Sequence, residues 1–185
     1  RILLQVREMG YDKSLIHWTL DGEPFVNKAF PQICEVARKH GFTNHYFASN
    51  MSLMTLECAR SLPRGIQYTL TVDYCGDQEY FEKFRGTPRS WKKVGDNIRD
   101  ILADDTLGHI RFEVKDISSY SIENPNELKE LGLKLRAALP PSDRLRFFSK
   151  TFHNMTGFLD KSGSGERYQL CPYPWSSLTI SANGD

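Results

Sequence analysis

The chain has 185 residues, 39% of them hydrophobic and 25% charged, enough for one substantial core and too apolar for a disordered chain. Its formal net charge is +1, which gives no reason to expect nucleic acid or an anionic membrane as partner. No apolar run approaches the roughly 20 residues that a bilayer span needs.

In chain order, Arg1–Met9 reads as a helix already in progress and closed by Gly10, so an upstream segment is expected. Leu15–Leu20 (LIHWTL) predicts a buried strand that stops at Asp21-Gly22-Glu23-Pro24, with His17 a structural residue inside it. Ile33, Val36, Ala37 and His40 follow helical spacing up to Gly41. A second strand is expected at His45–Ser49, a helix at Thr55–Leu62 before Pro63, and a third strand at Tyr68–Val72. Asp73 to about Ser90 reads as a loop. Trp91, Val94, Ile98, Ile101 and Leu102 then mark a long amphipathic helix. Ile110–Val114 predicts a fourth strand, Glu127 to Leu139 a helix, and Leu145–Phe148 a fifth strand. A helix between each consecutive pair of strands implies a parallel α/β sheet covered by helices.

The character changes near residue 150. Ser162-Gly163-Ser164-Gly165 signals a linker. Leu178–Ser181 followed by Asn183-Gly184 reads as a strand entering a hairpin whose return strand lies beyond the last residue. The expected organisation is therefore a first domain over 1–150, a linker over 151–170 and the start of another domain over 171–185.

Four cysteines, at positions 34, 58, 75 and 171, form no CxxC or CxxxCxxC pattern. Cys34 and Cys58 fall on apolar helix positions and are expected to be small buried hydrophobes. Few, scattered cysteines suit a reducing cytoplasm.

In parallel α/β folds ligands collect at the carboxyl ends of the strands. Glu23, Ser49, Asn50, Asp73, Lys115 and Asp116 are expected there. At Gly22-Glu23-Pro24, glycine permits a sharp turn and proline sets the direction that follows, which would hold the carboxylate at the strand mouth. Two readings follow from these residues alone. Glu23 and Asp73 at adjacent strand mouths could form the acid and base pair of a barrel-type hydrolase, or the groove could belong to a non-catalytic binding module.

The order of the motifs adds a third. Leu20-Asp21-Gly22-Glu23-Pro24-Phe25 closes one strand, Ala48-Ser49-Asn50-Met51 the next, and Thr69-Leu70-Thr71-Val72-Asp73 the third. Phe84-Arg85-Gly86 and Ile122-Glu123-Asn124 follow, then Cys171, Pro174-Trp175 and Asn183-Gly184. This series resembles radical S-adenosylmethionine proteins carrying a SPASM domain, over essentially the whole chain. Asp21 and Met51 stand where a glycine is usual in that family, and Tyr74 where Asp-Gly is expected. The CxxxCxxC loop that holds the family's 4Fe-4S cluster through three thiolates is absent, and the first strand seen here matches the family's second.

The resemblance implies a partial, open (β/α) barrel of at least five parallel strands followed by the truncated start of a SPASM domain. It implies an enzyme that, in complete form, cleaves S-adenosylmethionine with a reduced cluster and abstracts hydrogen from a substrate, a peptide or protein being the first guess. The fragment alone would be inactive. Glu23, between Gly22 and Pro24, would accept hydrogen bonds from the methionyl ammonium. Asn50, Thr71 and Asp73 would face the cofactor or the substrate, and Arg85 would pair with the cofactor carboxylate. Cys171 would be the first ligand of an auxiliary 4Fe-4S cluster, and a flavodoxin or ferredoxin would donate electrons. His153 and Asn154 are expected in loop packing.

Overall fold

Strands at Ile16–His17 (β1), Asn44–Ala48 (β2), Gln67–Tyr74 (β3), Ile110–Asp116 (β4) and Leu145–Ser149 (β5) form one sheet, all parallel and in chain order. The computed structural model describes residues 2–18 and 22–149, which lie in one compact unit, Arg1–Thr151. Parallel neighbours cannot be joined by a tight turn, so each connection must cross over the sheet. Helices Phe30–Lys39 (α2), Leu56–Ser61 (α3), Gln78–Arg85 (α4), Ser90–Ala103 (α5) and Pro125–Ala138 (α6) supply the crossovers, and Ile2–Glu8 (α1) precedes β1. Among the described residues no helix is long and apolar enough to cross a membrane.

Three sequence expectations need correction here, that for Val36 among the core residues below. The segment from Asp73 to Ser90 is not one loop: β3 continues through Tyr74, and α4 follows, so the β3–β4 connection holds two helices. Its signals were present. The Asp77 carboxylate caps the helix by accepting from Tyr80 N at 2.7 Å, and Gly86 ends it in the left-handed region at φ 63°. They are hard to see because Phe81 is the only residue of this helix that is fully buried. The second correction concerns His17, which is exposed rather than buried, because its register with Tyr46 puts it on the face that no described helix covers, and β1 is an edge strand of the described sheet. Leu15 and Trp18 of that expected strand lie just outside β1, and Thr19 and Leu20 lie outside the described residues.

Strand alternation divides the sheet into two unlike faces. Phe47, Tyr68, Leu70, Val72, Tyr74, Ile110, Phe112 and Val114 point to one side, all at most 1% exposed. They meet Cys34 of α2, Ala59 of α3, Val94, Ile98 and Ile101 of α5, and Leu135 of α6 in one continuous core. Val36, expected on the apolar face of α2, is half exposed instead. Each large side chain so buried contributes roughly 1.5–3 kcal/mol, so this single layer of helices carries most of the stability. His45 shares that side, and burial holds its imidazole down to about 4, so it is neutral at physiological pH. The opposite face carries Tyr46, Ala48, Thr69, Thr71, Asp73, Arg111, Glu113, Lys115, Arg146 and Phe148 in register, and no described helix contributes to a core there.

Candidate active site

At the carboxyl ends of the strands the residues singled out from the sequence form two separate groups, Glu23 with Ser49 and Asn50, and Asp73 with Arg85. Gly22 sits at φ 93°, a conformation that side-chain-bearing residues rarely adopt. Pro24 opens a short 3-10 turn, Pro24–Val26, and Glu23 is its N-cap, accepting from Phe25 N at 3.4 Å. The Gly-Glu-Pro sequence thus turns the chain and aims the carboxylate sideways, onto the mouth of the next strand. There Glu23 Oε2 accepts from Asn50 N at 2.7 Å, and Ser49 Oγ, 3.0 and 3.2 Å from the two carboxylate oxygens, shares its one hydrogen with them.

The β2 mouth is itself tightly built. Ser49 Oγ accepts from Met51 N at 2.9 Å, and Asn50 Oδ1 accepts from Ser52 N at 2.8 Å. Met51 adopts φ 59°, the left-handed region in which glycine is at ease, with its side chain fully buried. Asn97, a nearly buried polar residue of α5, holds that turn by donating from Nδ2 to Met51 O at 2.6 Å. Glycine at Met51 would relieve about 1 kcal/mol of backbone strain but would forfeit a buried methionine worth about 2–5 kcal/mol. Met51→Gly is therefore expected to lower stability by about 2 kcal/mol, read from a urea midpoint. A rise in midpoint would show that backbone strain outweighs the packing.

At the third mouth, Asp73 Oδ2 lies 3.6 Å from Nη2 of Arg85. Arg85 is on the last turn of α4 and its guanidinium also lies 5.7 Å from the Phe81 ring centroid. Thr71 Oγ1 donates to Glu113 O at 3.3 Å, across to the neighbouring strand. Deeper on the same face Tyr46 donates its hydroxyl to Glu113 Oε2 at 3.1 Å, and Lys115 Nζ lies 3.6 Å from that oxygen. Lys115 also sits 4.2 Å from the Phe148 ring centroid. Lys115 and Asp116, expected just past the fourth strand, are its last two residues.

The described cysteines are dispersed. Burial pushes the Cys34 thiol up to about 12 and that of Cys75 up to about 11, so both are protonated at neutral pH. Cys58 is half-buried and raised for the same reason, with the nearby Glu23 and Glu57 carboxylates adding to it. Among the described residues no three His, Cys, Asp or Glu side chains group to hold a metal ion. Cys171, His153, Asn154, the linker and the hairpin signal lie outside the described residues.

No protein-family model matches the chain, and no curated protein matches its sequence.

Three participants escaped the sequence reading: Asn97 behind the Met51 turn, and the Tyr46–Glu113 pair on the open face. The pair had a visible signal. Tyr46, Thr69, Thr71, Asp73, Arg111, Glu113 and Lys115 are polar at every second position of strands whose other positions, His45 and Asp116 excepted, are apolar or tyrosine. Asn97 had none, since a polar residue within an amphipathic helix is ordinarily read as part of the wet face.

Proposed function

We propose that this chain belongs to a radical S-adenosylmethionine enzyme in which Glu23 receives the methionyl ammonium of the cofactor. One observation carries the reading: the Glu23 carboxylate is fixed at the strand mouths by three donors, Phe25 N, Ser49 Oγ and Asn50 N. An ionised carboxylate offers about four acceptor positions, so one remains for an added donor. The anchoring donors already set its direction, which lowers the cost of binding a cation there. Further support comes from Met51, whose left-handed backbone occupies the position where the resembled family carries glycine.

The cofactor, once bound and reduced by one electron, supplies hydrogen-atom abstraction. This chain's residues bind and orient. Glu23 holds the ammonium, with Gly22 and Pro24 setting its geometry. Asn50 and Thr71 border the cofactor at the second and third mouths. Arg85 is the cation for the cofactor carboxylate, and Asp73 steadies it from the other side. The described residues group no ligand set for a 4Fe-4S cluster, so on this reading the cluster rests on other residues. The same proposal extends the sheet to an open (β/α) barrel, makes Cys171 a ligand of an auxiliary cluster in a SPASM domain, and assigns electron delivery to a flavodoxin or ferredoxin. The described thiols are free, which suits a reducing cytoplasm.

The test uses the full-length gene product, reconstituted anaerobically with iron and sulfide and supplied with S-adenosylmethionine and reductant. Release of 5′-deoxyadenosine is expected. Glu23→Gln keeps the shape and one acceptor oxygen, so the fold should hold while the KM for S-adenosylmethionine rises by about tenfold or more. Failure of the unaltered protein to release 5′-deoxyadenosine would sink the proposal.

A further inference from the structure

We infer that the open face of the sheet binds an acidic peptide segment in extended form, with Arg111 and Arg146 receiving its carboxylates. This deepens the proposed function by naming a substrate class, and it rests on that reading only for what is done to the peptide.

The charges on this face are unequally satisfied. Glu113 is engaged by Tyr46 and Lys115, and Asp73 by Arg85. Arg111 and Arg146 lie on the same face, both exposed, and pair with no carboxylate among the described residues. The strands place three cations on this face, Arg111, Lys115 and Arg146, against two carboxylates, Asp73 and Glu113, and Asp73 is met by Arg85 from α4, which leaves the Arg111 and Arg146 guanidiniums as an unmatched excess.

Spacing turns that excess into a peptide preference. Glu113 is in register with Arg146, so Arg111 stands one strand over and two residues back from it. Strand geometry separates two such positions by about 8 Å. On an extended peptide, side chains that share a side recur about every 7 Å. Two acidic residues at alternate positions of such a peptide match the two guanidiniums, each of which suits bidentate carboxylate binding. Tyr46 and the partly exposed Phe148 border the same surface and supply apolar contact for the intervening residues. Five strands about 4.8 Å apart give a face about 19 Å wide, room for five or six extended residues.

The probe is a fluorescein-labelled hexapeptide of alternating glutamate and alanine, with glutamine–alanine and lysine–alanine counterparts. Binding to the 185-residue chain is followed by anisotropy at low salt, without S-adenosylmethionine. The acidic peptide should bind about tenfold or more tightly than the neutral one, and weaken as salt rises. The Arg111→Gln/Arg146→Gln pair should remove that preference, whereas Lys39→Gln and Lys129→Gln on the helices should not. The Arg111→Glu/Arg146→Glu pair should transfer the preference to the lysine peptide, an outcome that mere unfolding cannot produce. Equal affinity for acidic and neutral peptides, no binding, or an unchanged Arg111→Gln/Arg146→Gln pair would overturn the inference. Peptide selectivity without 5′-deoxyadenosine release would remove the radical chemistry alone, and the reverse result would remove the acidic substrate alone.

Discussion

Gly76→Ala is expected to destabilise the protein by about 3 kcal/mol, the upper part of the range for overpacking. Gly76 lies between the end of β3 and Asp77, the cap of α4, where the chain passes directly under α6. A Cβ at this position would overlap the carbonyl oxygen of Leu131 and come within 2.7 Å of Leu135 N and of Lys134 Cβ. Two of those three atoms are helix backbone, which cannot swing aside as a side-chain tip can. The clash must be relieved by moving α6, and Leu131 and Leu135 of that helix are buried. For a domain of this size the loss corresponds to a fall in melting temperature of about 10 °C. A fall of less than about 2 °C would mean that the loop shifts freely and that α6 does not hold it.

Arg144→Met should cost a similar amount, about 3 kcal/mol, through the loss of a cap. The last carbonyls of a helix have no partner within it. Here Arg144 donates from Nη1 to Leu107 O at 2.9 Å and Ile101 O at 3.4 Å, and from Nη2 to Leu102 O. One planar guanidinium therefore closes the end of α5 and the short 3-10 turn after it, and places positive charge at the negative end of the helix dipole. It is supplied from the residue just before β5, so the cap also ties the α5 end to the sheet edge. Methionine keeps the apolar stem and removes every donor. Arg144→Lys should recover only part of the loss, because one ammonium cannot span three carbonyls with the fixed fork of a guanidinium. Urea midpoints for the three proteins decide it, and equal midpoints for Arg144→Lys and the unaltered chain would show that charge alone suffices.

Much of the α/β order was legible because burial on one side of a strand or helix imposes a period that survives in one dimension. β2, β3, β4 and α5 were found within a few residues of their observed limits. α6 begins two residues earlier than expected, where Asn124 caps it and Pro125 occupies its first position. The helix in the Asp73–Ser90 segment went unseen because it is short and its one buried ring is Phe81. His17 was misjudged because alternation says which residues share a face but not whether a further strand covers the edge.

The Gly22-Glu23-Pro24 turn shows the limits most clearly. Its local conformation follows from the sequence: a glycine at positive φ, a carboxylate at a cap and a proline opening a turn are all short-range choices. That Glu23 reaches Ser49 and Asn50, that Asn97 secures Met51 and that Arg85 meets Asp73 could be decided only by the tertiary structure. These contacts join residues 12 to 46 positions apart. They exist because parallel pairing places successive strand mouths side by side, and because α4 and α5 return over them. Local periodicity determined which faces would be apolar. Register and crossover, which depend on how distant segments stack, decided which polar groups meet.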